Sequence, residues 1–307
     1  MEVILVMRIG IDFGGTKIEA AAIDDAGNFC ARIRTQTPDN YADAVICVRD
    51  LVKNIEKELK ITTSVGVCIP GSISPYTGKI RNSNKLYLNN SDFNKDLEYA
   101  LSRPIKFAND ANCFALSEAH DGAGAGRNIV CGLILGTGCG GGIVVNSRLV
   151  EGSQGIAGEW GHNPLPWANL SEQNTPGCYC GQEGCLEQWI SGTALTRCFK
   201  ARTGATESGA AIAALAQAGD TAAIYEISAL INRIGRAIAA ICNVIDPDIV
   251  VIGGGLSNIP MLYRELPKII EQYIFADKWN GKVVPPHWGD SSGVRGAARL
   301  WPSLGER

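Results

Sequence analysis

Short apolar runs alternate with longer amphipathic stretches along most of the chain. The pattern predicts strands at about 3–11, 18–24, 29–35, 65–69, 105–108, 129–135, 142–145 and 248–252, and helices at about 41–59, from 110 onward, 221–244 and 260–273. Strands that alternate with helices are typical of an α/β protein whose ligands bind beyond the carboxyl ends of the strands.

Two pairs of predicted strands turn at glycine-rich loops. The segment RIGIDFGGT at 8–16 recurs in outline as GLILGTGCG at 132–140. Glycine adopts positive φ and leaves backbone amides uncovered, so each turn can receive phosphate oxygens. The repeat predicts two related domains with one phosphate-binding hairpin each, while an ordinary hairpin is the alternative for either turn alone.

The residues of these loops give candidate nucleotide contacts. Asp12 precedes the first turn, where a carboxylate can hold Mg²⁺ through water. A third loop, the triple glycine Gly253-Gly254-Gly255, follows a late strand and has neither Walker A nor dinucleotide spacing. It favours a helix N-terminus that receives the nucleoside, with a tight strand-to-helix turn as the alternative. The predicted contacts are Gly14, Gly15, Thr16, Lys17, Gly136, Thr137, Gly138, Cys139, Gly140, Gly254 and Gly255.

Asn109 and Asp110 stand where a predicted strand ends and a helix begins. Both residue types are favoured helix caps, so capping is one interpretation. The other is catalytic: Asp110 would accept the proton of an attacking hydroxyl in a phosphoryl transfer, and Asn109 would hold a substrate hydroxyl.

The segment CYCGQEGC places Cys178, Cys180 and Cys185 within eight residues. Together with His162, these thiols predict a closed, structural Zn²⁺ site, and reduced cysteines in a glycine-rich loop are the alternative. If one ring nitrogen of His162 binds the metal, the other can donate to a substrate hydroxyl. Glu159 flanks this module and can accept from hydroxyl groups, unless it is a solvated surface charge.

Composition narrows the class of protein. The 307 residues are 46% hydrophobic, enough for two cores, and the net charge of −3 argues against a nucleic-acid partner. The 11 cysteines are mostly scattered through apolar segments, which favours a reducing, cytoplasmic location. The N-terminal apolar run is too short for a signal peptide or a membrane span.

The chain resembles the ROK family of repressors, open reading frames and sugar kinases, and within it the fructokinase branch. The specific motifs are IPGSISPYTG at 69–78, ANDANC at 108–113, GEWGHNPLPW at 158–167 and GDSSGVRGAA at 289–298. The resemblance implies an actin-like (ribonuclease H-like) fold with two related domains around a central cleft. Residues 1–120, with the C-terminal helix at about 291–307 packed back on them, form the first domain. Residues 121–290, with a zinc module inserted at about 158–190, form the second.

The resemblance also implies an ATP- and Mg²⁺-dependent hexose kinase that converts fructose to fructose 6-phosphate. Alternatives within the family are N-acetylglucosamine, mannose and glucose kinases. It assigns Asp110 as the base, and it assigns the sugar contacts to Asn109, Glu159, His162, Glu187 and Gly71. A homodimer is expected. A sugar-responsive repressor would need a helix-turn-helix domain ahead of Asp12, and an ATPase acting on proteins would not need the zinc module.

Overall fold

The computed structural model describes residues 7–173 and 176–302. The first part of the chain forms β1 (Arg8–Phe13), β2 (Lys17–Ile23), β3 (Phe29–Gln36), α1 (Tyr41–Leu59), β4 (Ser64–Ile69), β5 (Ser72–Ile73), β6 (Ile80–Arg81), α2 (Phe93–Leu101), β7 (Ile105–Asn109) and α3 (Asp110–Asp121). The second part forms β8 (Ile129–Leu135), β9 (Cys139–Val145), β10 (Arg148–Leu149), α4 (Glu187–Ile190), α5 (Gly192–Thr203), α6 (Gly209–Gln217), α7 (Thr221–Ile245), β11 (Ile249–Gly253), α8 (Pro260–Glu271), β12 (Lys282–Val284) and α9 (Ser292–Arg299).

Two five-stranded sheets share one plan, with strand orders β3-β2-β1-β4-β7 and β10-β9-β8-β11-β12. In each sheet the first three strands are antiparallel and the last two add in parallel. The hairpins β1–β2 and β8–β9 therefore occupy equivalent places, as the repeat predicted. The α/β class is confirmed, and the domain division at residue 120 stays a prediction.

Helices α3 and α9 pack against each other and against the two sheets. A Cβ on Gly10 of β1 would lie 1.9 Å from the carbonyl oxygen of Val294 in α9. A Cβ on Gly132 of β8 would lie 2.7 Å from the Cβ of Ala115 in α3. Glycine is required at both crossings because the helices approach the strands so closely. The C-terminal helix thus packs on the first sheet, next to the helix that begins at Asp110.

Helix α7 is long and apolar enough, by length and composition, to cross a membrane. However, 56% of its most apolar window is buried inside the protein. Its inward face contributes Ile227, Leu230, Ile234 and Ile238 to the core of the second sheet, against α5 and α8. Burial against the chain's own helices is the behaviour of a core helix.

Several element boundaries differ from the sequence predictions. Residues 3–6 of the first predicted strand lie outside the described residues, and that strand continues to Phe13. The second hairpin is tighter than predicted, because β9 begins at Cys139 instead of Gly142. The glycines of this hairpin leave room for α3 to pack closely, since a Cβ on Gly140 would lie 3.1 Å from the Cβ of Ala111. Helices α2, α5 and α6 and strand β12 were not predicted.

Candidate active site

Asp110 and Asn109 share the junction between β7 and α3. The Asn109 side chain accepts a hydrogen bond from the Asn112 amide at 2.7 Å, so Asn109 is the helix cap. One oxygen of Asp110 accepts from the Ala111 amide at 2.9 Å, and the side chain lines a cleft of about 620 Å³. The capping and catalytic interpretations are therefore compatible, because different residues serve them.

The environment of Asp110 raises its pKa. Surrounding protein atoms desolvate the carboxylate and raise the pKa, while hydrogen bonds from backbone amides lower it. The side chain nevertheless keeps contact with solvent. A carboxylate at the floor of an open cleft satisfies both observations: protein walls surround it, and substrate can reach it.

Asp12 lies at the end of β1 and lines the same cleft. Burial, the largest cause, raises its pKa to about 6; the neighbouring charges of Glu19 and Asp110 add to the shift, and a hydrogen bond from Cys68 and the charge of Lys17 oppose it. A Cβ on Gly293 would lie 2.5 Å from one Asp12 carboxylate oxygen, so the first turn of α9 abuts the group. Two carboxylates with a lysine charge nearby are suited to a magnesium–phosphate ligand.

The remaining walls of this cleft come from late in the chain. Gly254 has φ of +80°, and a Cβ there would lie 2.5 Å from the Leu135 carbonyl oxygen. Gly255 faces open space and starts a 3₁₀ helix, whereas α8 begins only at Pro260. The helix N-terminus at this loop is therefore that of a short 3₁₀ helix, α8 begins at Pro260 as predicted, and the nucleoside contact stays a prediction. Another wall consists of residues 285–290, 292 and 293. Residues 285–288 had no predicted role, and the others were noted only for the family motif at 289–298 and the predicted C-terminal helix.

The first glycine hairpin differs in detail from the prediction. Gly14 and Gly15 are both described, yet neither is among the glycines with positive φ. A Cβ on Gly14 would lie 2.7 Å from the Lys17 carbonyl oxygen, whereas Gly15 faces open space. Gly14 is thus needed for a close approach within the turn, and Gly15 leaves the backbone surface uncovered. Thr16 and Lys17 are exposed beside it.

The second hairpin is fixed by residues that follow the cysteine cluster. The Glu187 carboxylate accepts from the Cys139 amide at 3.0 Å, and a Cβ on Gly138 would lie 2.5 Å from the same oxygen. The Thr193 hydroxyl donates to the Thr137 carbonyl at 2.8 Å. The Cys139 side chain is buried, and its pKa lies well above the ordinary value because of burial. The thiol of Cys139 is therefore not available as a thiolate, and the backbone amide of this residue already donates to Glu187.

The structure brings some of the predicted nucleotide contacts together and leaves others apart. Asp12, Asp110, Gly254 and Gly255 line the large cleft. The hairpin residues 14–17 and 136–140 are not part of that lining.

A second cavity of about 240 Å³ lies on the Asn109 side of the catalytic junction. Its walls are the β5 region and a loop for which no role was predicted. The lining residues are Ile69, Ser72, Ile73, Pro75, Phe107, Ala108, Asn109, Asn112, Glu151, Gly152, Ser153 and Gly155. Gly71 is not among them: its φ is +91°, and a Cβ there would lie 2.4 Å from the Arg81 carbonyl oxygen. Gly71 shapes the entry to β5 without facing the cavity.

The predicted zinc ligands are close together. The donor atoms of His162, Cys178, Cys180 and Cys185 all lie within 4.8 Å of one another. Cys178 Sγ is 3.6 Å from His162 Nδ1, and Cys180 Sγ is 3.6 Å from Cys185 Sγ. Tetrahedral Zn²⁺ with bonds of about 2.3 Å places its ligand atoms roughly 3.7 Å apart. The donor set therefore fits zinc in chemistry and in spacing.

His162 presents its other nitrogen away from the thiols. Nε2 lies 3.1 Å from the Tyr179 hydroxyl, with the two rings edge to face. Burial is the largest cause that raises the pKa of Tyr179 to about 12, and the charges of Glu187 and Glu159 add to the shift. The three predicted sugar contacts Glu159, His162 and Glu187 therefore lie around one small region, beside the second hairpin.

Comparisons with known proteins agree with this geometry. The model of the ROK family matches residues 8–303, so the chain belongs to the ROK family. An N-acetyl-D-glucosamine kinase from Pasteurella multocida (strain Pm70) is 37% identical over 303 residues, covering 97% of this chain and 100% of the relative.

Solved structures of this family share the fold. A ROK hexokinase from Thermus thermophilus has a TM-score of 0.87 and 29% identity, over 96% of this chain and 97% of that one. A ROK glucokinase from Streptomyces griseus, solved with glucose and AMPPNP, has a TM-score of 0.75 and 27% identity, over 96% and 98%. The actin-like fold is confirmed, and the chain is an ATP-dependent sugar kinase, a phosphotransferase with an alcohol acceptor.

Proposed function

We propose that this sugar kinase phosphorylates N-acetylglucosamine at its primary 6-hydroxyl. The observation that carries the proposal is the relative named N-acetyl-D-glucosamine kinase, which matches nearly the full length of both chains. This relationship favours one of the alternatives drawn from the sequence over fructose, which the comparisons do not support.

The cavity beside Asn109 supports this choice of sugar. N-Acetylglucosamine differs from glucose by an acetamido group, which has a polar amide and an apolar methyl. The cavity offers Ser72 and Ser153 as hydrogen-bonding partners, and Pro75 and Phe107 as apolar walls. A site that satisfies a polar group and encloses a methyl discriminates against sugars that lack them.

Phosphoryl transfer would take place at the Asp110 junction. Asn109 would bind a sugar hydroxyl, and Asp110 would accept the proton of the 6-hydroxyl as its oxygen attacks the γ-phosphorus. The new bond joins the sugar oxygen to phosphorus, and the bond to the β–γ bridging oxygen breaks to release ADP. Burial raises the pKa of Asp110, which makes the carboxylate a better proton acceptor than an exposed aspartate.

ATP would lie in the 620 Å³ cleft. Asp12 would face the Mg²⁺ that is bound to ATP, and Gly255 would leave the backbone uncovered beside the nucleotide. Magnesium supplies charge neutralisation on the phosphates when it is bound. Lys17 and the amides of the two hairpins would contact the phosphates. The hairpins do not line the cleft in this structure, so this role requires closure of the two sheets on the nucleotide.

Zinc would fix the positions of the side chains that form the sugar site. His162 would bind the metal through Nδ1, the nitrogen that faces Cys178, and would keep Nε2–H to donate to the sugar. Glu159 and Glu187 would accept from neighbouring sugar hydroxyls. A closed set of four protein donors leaves no position for substrate, so the metal's role is structural.

Coupled assays of kcat/KM for N-acetylglucosamine, fructose, mannose and glucose test the proposal. We expect N-acetylglucosamine to exceed each of the other sugars at least tenfold. A preference for fructose would restore the prediction made from the sequence and reject this one. Ser72→Ala should lower kcat/KM for N-acetylglucosamine more than for glucose, whereas equal losses would place the acetamido group elsewhere.

A further inference from the structure

Glu118 is a buried carboxylate with no contact to either cavity, and four hydrogen bonds converge on it. It lies in α3 and its side chain has no solvent exposure. One oxygen accepts from the amides of Ala123 and His287, both at 2.9 Å. The other accepts from the Trp288 amide at 3.0 Å and from the Ser292 hydroxyl at 3.2 Å.

Three of these four donors belong to one segment, residues 285–293, which we call the C-terminal wall. It lines the same large cleft as the triple glycine. The carboxylate therefore joins the wall to a helix that is about 170 residues earlier in the chain. Asp121, one turn further along α3, adds a hydrogen bond from the Trp288 ring nitrogen at 2.9 Å.

The same helix begins with Asp110 at the cleft floor. Asp110 and Glu118 are eight positions apart in the sequence, which corresponds to about 12 Å along a rigid helix. Burying a carboxylate is costly unless hydrogen bonds satisfy it, and here they come mainly from the wall. Helix α3, the carboxylate of Asp110 at its start and the C-terminal wall are therefore fixed relative to one another.

We infer that Glu118 is a positioning residue for the nucleotide: it holds the C-terminal wall at a fixed distance from Asp110, so that the cleft is preformed for ATP. The inference rests on the proposed placement of ATP in this cleft. A purely structural role for Glu118 would affect folding stability but not the KM for ATP selectively.

Glu118→Gln tests the inference, because it keeps the shape but replaces one acceptor oxygen by an NH₂ group. In either amide orientation two donors lose their acceptor. We expect the KM for ATP to rise at least tenfold, the KM for sugar to stay within twofold, and amide hydrogen exchange at 287 and 288 to accelerate. Glu226→Gln is the matched control: Glu226 is also buried and accepts from Arg202 at 2.5 Å, but it lies in α7 away from the cleft.

Loss of thermal stability in Glu118→Gln with an ATP KM within twofold of wild type would overturn the inference, as would equal increases in both KM values. If Glu118→Gln does not fold, Ser292→Ala removes a single donor; we then expect the ATP KM to rise about two- to tenfold, and an unchanged value overturns the inference. Gly255→Val tests the placement of ATP separately. If Gly255→Val raises the ATP KM and Glu118→Gln does not, only the role of Glu118 fails; if Gly255→Val has no effect, the placement fails.

Discussion

The carboxylate of Glu187 accepts a hydrogen bond from the backbone amide of Cys139 at 3.0 Å. Glu187 starts the short helix α4, two residues after Cys185 of the zinc cluster, and Cys139 is in the second glycine hairpin. The predicted sugar module and the predicted phosphate hairpin are thus in direct contact. The contact joins residues that are 48 positions apart in the sequence.

This contact makes a prediction about two substitutions at one position. Glu187→Ala should raise the KM for sugar and also the KM for ATP, because the hairpin loses its partner. Glu187→Gln keeps a carbonyl oxygen for the Cys139 amide but loses the charge, so it should raise the sugar KM and leave the ATP KM near wild type. Steady-state kinetics with each substrate varied will show this. An ATP KM that is unchanged in both variants would mean that the contact has no part in ATP binding.

For the catalytic junction, we predict that Asp110→Asn lowers kcat by about a thousandfold or more. The amide has the shape of the carboxylate but cannot take a proton. Asn109 caps α3, so the thermal midpoint should change little. Direct binding of an ATP analogue should also be preserved. Turnover near that of wild type would show that another group is the base.

Much of this site was accessible from local sequence patterns. Each glycine hairpin, the junction at Asn109 and Asp110, and the three clustered cysteines are motifs of a few neighbouring residues, so short-range rules detect them. The roles of glycine were only partly right: the glycines of the turns at 14–15 and 136–140 do not use positive φ, whereas Gly71 and Gly254 do. Turn geometry depends on the register of the strands, which residue type alone does not determine.

The C-terminal wall was not predictable in the same way. Its place beside Asp12 and Asp110 depends on bonds from His287, Trp288 and Ser292 to Glu118, which are remote in the sequence. The cavity loop that includes Glu151 and Ser153 faces Asn109 only after the two sheets assemble. Such contacts are set by tertiary packing, and hydrophobic periodicity carries no information about them.

For the metal site, we predict one Zn²⁺ per chain in the purified enzyme, measured by elemental analysis. The pKa of Cys180 is lowered to about 7, chiefly by a backbone hydrogen bond from Gln182, and the lower pKa favours the thiolate that binds metal. Burial is the largest cause that raises the pKa of Cys185 to about 12 in the metal-free protein. Cys180→Ser should lose zinc and raise the sugar KM. Through Glu187 and Cys139 it should also raise the ATP KM, by a smaller factor. Fully active enzyme without zinc would exclude the site.

Cys198→Ser is the matched control for that experiment, because Cys198 lies in α5 outside the cluster. It should keep its zinc and both KM values. If it lost zinc as Cys180→Ser does, the effect would reflect general damage and not loss of a ligand.

The last prediction concerns Asp12 and pH. Burial raises the pKa of Asp12 from 3.8 to about 6, so the folded protein holds a proton that the unfolded chain releases between these values. The stability of the magnesium-free protein should therefore fall as pH rises from about 4 to about 6. Asp12→Asn cannot ionise, so its thermal midpoint relative to wild type should increase from pH 5 to pH 7. The corresponding gain in the free energy of unfolding, relative to wild type, is on the order of 1–3 kcal/mol. Magnesium with ATP should reverse the order at pH 7 by stabilising only the ionised wild type. A difference between the two proteins that is the same at both pH values would show that Asp12 is not the titrating group.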